Sequence, residues 1–352
     1  MTDRDRRHLR GPVRTMRTET AEWDPTTESW KTPESYEVAA FRPDGNLSHT
    51  ESHYGTQTAH TVYRYDTGGK LTEIETSGDV NPKTRVQFRY DPAGRPIEGV
   101  LVVNGAAPQQ VEAFSYRSDG RKTRLQFSPI AGLPDDDMTD QWQSWQLFIP
   151  ATSDESAAPN LITVLYDAAN RAEEVLVHNA NHELQYRVTF TRDQDGRLVS
   201  GETTLAGLSA LGPGIETTAD ASKEERAQLE TLLEAAFEKQ IFMSLTYSYD
   251  RDGRLTEQVR RMGAIMEEVT TYRYDDRGSK VEESSVERVQ GLEMDGDAVI
   301  PKEVERLDRR TRCEYQYDAK DNWTERVTWG QSERAEFQRS SIERRTFTYY
   351  AG

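Results

Sequence analysis

The chain has 352 residues, 30% of them charged and 35% apolar, with a formal net charge of −17. That carboxylate excess disfavours nucleic acid and anionic membrane surfaces, which are held by cationic patches, and no apolar run approaches the ~20 residues of a membrane helix. So small an apolar share excludes a large close-packed interior but suits a sheet with one apolar and one solvated face.

Residues 1–10 are charged and are expected to fray. The N-terminal stretch is basic and has no apolar core of the Sec type, so the simplest address is cytoplasmic, non-classical export aside. Residues 1–35 read as an N-terminal cap. A strand from Gly11 to Trp23, a turn at Asp24-Pro25 and a return from Trp30 would shield the first sheet edge.

A repeat begins at residue 36 and runs to 350 as one sheet domain. Its clearest copies are Leu245–Leu255 and Thr271–Val281, in which Tyr247, Tyr249, Asp250 and Gly253 recur as Tyr272, Tyr274, Asp275 and Gly278, 25 positions on. Tyr-x-Tyr puts two rings on one strand face. The Asp ends the strand and accepts backbone N–H groups, and the Gly supplies the positive φ of a tight turn. Earlier copies are Phe41–Leu47, Val62–Leu71, Phe88–Ile97, Phe114–Arg121, Val164–Arg171 (with Asn170 for Gly) and Val188–Leu198. Later ones are Tyr315–Trp323 and a truncated Phe347–Tyr350. Self-similarity at a ~25-residue period predicts an all-β fold of consecutive antiparallel hairpins in one long curled or rolled sheet.

Three stretches break the repeat. Residues 128–160 hold Pro129 and Pro134, the acidic run Asp135, Asp136, Asp137, and then Trp142 and Trp145. Acidic beside aromatic could meet a cation or a sugar face, or could be a surface loop pinned by a tryptophan. In 206–243, Ser222-Lys-Glu-Glu225 is a capping box, and Leu229, Leu232, Leu233, Ala236 and Phe237 form a helical stripe. A helix over about 220–241 would cover the sheet or dock a partner. Residues 286–312 alternate in charge, with a loop at Leu292–Asp297.

Catalytic signatures are missing: there is no nucleophile elbow, phosphate loop or His-Glu-x-x-His. His49 and His53, four apart on a strand, would sit about 13 Å apart, too far to share a metal. His178 and His182 bracket a turn but lack further ligands. Asp193–Gly196 and Asp250–Gly253 resemble pieces of calcium loops without the downstream Glu. Cys313 is the only cysteine, so no internal disulfide forms. No cofactor, metal or enzymatic activity is expected.

The Tyr-Asp-x-x-Gly-Arg-Leu unit resembles the YD (RHS) repeat over roughly residues 36–350. The resemblance implies stacked hairpins which, in large Rhs and Tc-type toxins, close into a cocoon around a toxic domain. The Asp-Pro-x-Gly signature of the family's self-cleaving segment is missing from the C-terminus, and Asp91-Pro-Ala-Gly94 lies in an early hairpin turn. About ten hairpins suggest an open or tightly wound sheet. The expectation is a short YD-repeat scaffold or binding protein, non-enzymatic and without membrane insertion. Its partner would be a protein or a glycan met at Trp142, Trp145 and Asp135–Asp137. The alternatives are a carbohydrate-binding module and an accessory or immunity-like partner of a polymorphic toxin system.

Overall fold

The computed structural model describes residues 2–79, 83–103, 106–126, 161–179, 181–205, 241–263, 266–295, 298–332 and 336–351. The elements in chain order are α1 (Asp3–Arg6), β1 (Val13–Asp24), β2 (Ser29–Trp30), β3 (Ser35–Phe41), β4 (Leu47–Tyr54), β5 (Gln57–Tyr65), β6 (Leu71–Gly78) and β7 (Thr84–Tyr90). Then come β8 (Pro96–Val103), β9 (Gln109–Tyr116), β10 (Lys122–Gln126), β11 (Leu161–Tyr166), β12 (Ala172–His178), β13 (Leu184–Arg192) and β14 (Leu198–Leu205). The last are β15 (Ile241–Tyr249), β16 (Leu255–Met262), β17 (Met266–Tyr274), β18 (Lys280–Asp295), β19 (Ala298–Tyr317), β20 (Trp323–Ser332) and β21 (Gln338–Tyr349). The expected long helix, with Ser222 and its leucines, lies outside the described residues.

The described residues up to Ala113 and from Thr311 onward form one compact unit, and those from Phe114 to Arg310 form the other. Strands β9 and β19 run from one unit into the other. From β3 onward each strand pairs with its sequence neighbours. Strand β1 pairs with β3 on one side and with β21 on the other, both antiparallel. Strand β1 is thus paired along both edges, and the two-residue β2 is attached to it. The fold is all-β, as the repeat implies.

The N-terminus is also corrected, because it does not fray. Thr2 and Asp5 form a capping box around α1. The Asp3 carboxylate accepts the Leu47 N–H at 2.7 Å, and Arg4 N–H donates to Gly45 O at 3.0 Å. Charged residues read as solvent-seeking instead satisfy backbone groups at the β3–β4 turn. Residues 286–312 differ as well: the chain stays in strand through Asp295 and resumes at Ala298.

Among the described residues, nine hairpins linking an odd strand to the next even one share one turn. In the β15–β16 turn, Asp250 N–H donates to Arg254 O at 2.9 Å and Gly253 N–H to Asp250 O at 3.1 Å. The fourth position has positive φ in all nine, from 61° at Asp321 to 96° at Gly45. A left-handed residue there closes the turn and throws a bulge into the ladder, seen as the register shift between Ser248 and Tyr249.

Alternation along the strands separates two faces. In the second unit Ile162, Val164 and Tyr166 of β11 join Val175, Val177, Tyr186 and Val188 in a buried cluster. In the first unit Val13, Met16, Ala39, Phe41 and Leu47 form one cluster, and Val86, Phe88 and Val111 another. The opposite face carries cross-strand ion pairs such as Arg64 with Glu75 at 3.4 Å and Arg89 with Glu98 at 3.0 Å.

The shared turn geometry sets the cost of changing its fourth residue. Gly253, at φ +80°, has room for a methyl group, whose nearest neighbour would be Arg197 Nη1 at 3.6 Å, so the penalty for alanine is conformational. Gly253→Ala is expected to cost about 1–2 kcal/mol in denaturant unfolding, whereas Asn170→Gly, at φ 63°, is expected to be neutral or slightly stabilising.

Candidate functional site

The residues singled out from sequence, Trp142, Trp145 and Asp135–Asp137, lie outside the described residues. The other sequence candidates do fall within them. Glu51 hydrogen-bonds His53 and has His60 Nδ1 3.6 Å away, while Tyr36 stacks on His53 with ring centres 4.1 Å apart. Among the described residues no three of His, Cys, Asp and Glu are grouped so as to hold a metal ion. Cys313 Sγ lies 4.0 Å from Thr328 Oγ1 across the β19–β20 pair.

The turn aspartates are committed to their turns. Asp250 Oδ1 accepts the N–H of Asp252 and of Arg254, both at 2.9 Å, and Oδ2 accepts Arg254 Nε at 2.7 Å. Asp193 repeats this with Asp195 and Arg197. Where the first turn residue is Arg42 or Arg117, the carboxylate comes two positions later, from Asp44 onto the Asn46 N–H and from Asp119 onto the Arg121 N–H. The calcium-loop fragments are thus hairpin caps.

Three of the cations that follow a turn glycine have a second task. Arg197 lies over the Tyr249 ring at 5.4 Å, Arg254 over Tyr274 at 5.4 Å, and Lys70 over Tyr90 at 5.7 Å. Each of these tyrosines also donates its hydroxyl to the carbonyl of the residue opening the previous even strand: Tyr249 to Leu198 at 2.7 Å, Tyr274 to Leu255 at 2.8 Å and Tyr90 to Leu71 at 2.5 Å. In these copies the cation and the second tyrosine join one hairpin to the next.

One side-chain cluster stands apart from the repeat. Arg326 on β20 faces Glu343 on β21. Glu343 Oε2 accepts Arg326 Nη2 at 2.7 Å, and its Oε1 accepts Arg345 Nε at 3.2 Å. Both guanidinium groups lie over the Trp323 indole, Arg345 at 3.5 Å and Arg326 at 5.4 Å. Tyr315 meets the same indole edge-on, 6.0 Å between ring centres. Arg345 alternates with Phe347, which packs on the core of Val13, Met16 and Phe41, and the Arg345 and Glu343 side chains are only 19% and 15% exposed. Sequence reasoning missed this group. Trp323, Arg326, Glu343 and Arg345 belong to two strands whose register no local motif announces.

No family model matches the chain, and no curated protein matches it. Solved structures do. A porin-like protein from Bacteroides uniformis matches at 8% identity over 96% of this chain and 99% of its own, with a TM-score of 0.35. A porin-like protein from Bacteroides vulgatus matches at 9% identity over 94% and 97%, with a TM-score of 0.27. TcdB2-TccC3 without its hypervariable C-terminal region matches at 10% identity over 94% of this chain but 19% of its own, with a TM-score of 0.24. At these identities the likeness concerns the fold alone.

The family assignment is corrected, since no family model supports it. The YD-repeat scaffold is withdrawn with its two alternatives, the carbohydrate-binding module and the toxin-system partner. The cytoplasmic address, read from the lack of a Sec-type apolar core, and the exclusion of membrane insertion, read from the lack of an apolar helix, are withdrawn with it. That no helix is long and apolar enough to cross a membrane says nothing of a β-barrel, which crosses with strands.

The turn carboxylates make stability depend on pH. The Arg254 backbone N–H, followed by its guanidinium, holds the Asp250 carboxyl below its usual range, and Arg95 does the same for Asp91. A carboxyl lowered in the folded state adds stability that is present above its unfolded value near 3.9 and is lost as pH falls through the lowered value. Asp250→Asn is expected to melt below the wild type at pH 7, with the gap closing as melts are repeated from pH 4 down to pH 2.

Proposed function

We propose that the chain is a porin-like β-barrel protein that crosses an outer membrane by its strands and acts as a non-enzymatic channel wall. The observation that carries this reading is the asymmetry of its hairpins. The odd-to-even connections among the described residues are nine near-identical short turns. The even-to-odd connections vary, and those between β10 and β11 and between β14 and β15 span residues 127–160 and 206–240. The start of β1 and the end of β21 meet at the short-turn side, where Tyr350 N–H donates to Pro12 O at 2.9 Å. Outer-membrane barrels have an even number of antiparallel strands, short turns on one side and long loops on the other. Strands of 9–12 residues such as β1, β5, β13, β15, β17 and β21 meet the ~9–11 needed to cross a bilayer at a tilt.

A bilayer-spanning wall needs an outward apolar band, and in β11–β13 the rows through Val164, Val175 and Val188 are the ones that could supply it. These side chains are 1%, 1% and 7% exposed, while Arg64, Arg85 and Arg89 on charged rows are 48%, 40% and 70% exposed. Insertion therefore requires the apolar rows to exchange their protein cover for lipid. Purified protein mixed with zwitterionic liposomes is expected to float with them and to give stepwise conductance in a planar bilayer. Protein that stays in the aqueous fraction and passes no current overturns the reading.

A further inference from the structure

We propose that Arg326, Arg345 and Trp323 form a binding site for a small oxyanion, a carboxylate or a phosphate. Two guanidinium groups converge here on one carboxylate, which leaves one positive charge in excess. A guanidinium has five N–H donors; Glu343 engages one nitrogen of each arginine, and the Tyr315 side chain also hydrogen-bonds Arg326. Arg326 Nε is buried and has no hydrogen-bond partner. A buried charged donor left unpaired is costly, and an acceptor oxygen beside it removes that cost. The neighbouring Arg7 does not change the balance, since it pairs with Glu37 at 3.0 Å.

Other arginine groups among the described residues lack this combination. Arg64 and Arg85 meet two carboxylates, Glu73 and Glu75, and so are balanced. Arg261 and Arg288 share the single Glu267, but among the described residues no ring lies beneath them. At Trp323 the indole face orients both planes. Planar forks held in place match the paired oxygens of a carboxylate or phosphate. The side chains place the site on the core-facing side of β21, yet Arg326 remains 37% exposed, enough for an ion to reach it. The site needs only the β20–β21 pair, so it stands whether or not the chain spans a bilayer.

Calorimetric titration of the full chain in chloride buffer, with inorganic phosphate in one arm and acetate in the other, tests this. Saturable binding in either arm is expected, and the arm that binds identifies the oxyanion. Arg326→Gln is expected to raise Kd by about tenfold or more, in line with loss of one charge-assisted hydrogen bond. Arg345→Lys, which keeps the charge and loses the fork, is expected to weaken binding similarly and covers the case in which Arg326→Gln does not fold. Arg344→Gln, on the other side of β21 and paired with Glu325 at 3.1 Å, is expected to leave Kd within about twofold. No saturable heat with either anion, or an Arg345→Lys protein that binds as the wild type does, overturns the site.

Discussion

A β-strand at the margin of a sheet leaves every second N–H and C=O without a partner, and a sheet of this length cannot carry two such margins without inviting pairing between chains. The chain meets that constraint through β1. From Thr15 to Thr20 its residues are in register with β3 on one side and with β21 on the other. The first long strand thus fills the gap that the last would otherwise leave open. Smaller contacts lock the seam. Asn322, 3% exposed, donates to Arg10 O at 2.8 Å and accepts the Arg10 N–H at 2.6 Å, and the Tyr350 hydroxyl donates to Phe41 O at 2.6 Å.

Away from the seam, stability is built one hairpin at a time. A left-handed residue shapes the turn, a carboxylate satisfies its N–H groups, and the following cation reaches the next hairpin's tyrosine. That tyrosine's hydroxyl returns to the previous strand's first carbonyl. Each such hydrogen bond contributes about 1 kcal/mol net, modest alone but repeated along the ladder. Because each of these links runs to the adjacent hairpin, the sheet is tied by nearest-neighbour contacts, as in other repeat architectures.

Those local features were legible in the sequence because each is set within five or six residues: Tyr249, Asp250, Gly253 and Arg254 announce both strand and turn. Even Asn170 in place of Gly was readable, since Asn tolerates positive φ. The seam was not legible, because the pairing of Val13 with Tyr349 joins residues more than three hundred positions apart and carries no motif. The docking of α1 was hidden for a related reason. Asp3 and Arg4 look like solvated charges until Gly45 and Leu47 are brought beside them. The Arg326–Glu343–Arg345 group depends on the β20–β21 register, and nothing in either strand's own alternation reveals it. The exclusion of membrane insertion tested for a crossing helix and not for crossing strands, so it says nothing of a β-barrel.

The central claim is that β1 is hydrogen-bonded on both sides. Residue-resolved amide hydrogen exchange tests it most directly, because successive amides of β1 point alternately towards β3 and towards β21. The account predicts that every amide from Met16 to Thr20 is protected to a similar degree. Slow and fast exchange alternating along that stretch, with every second amide exchanging at loop rates, would show that β1 borders an open sheet and would contradict it.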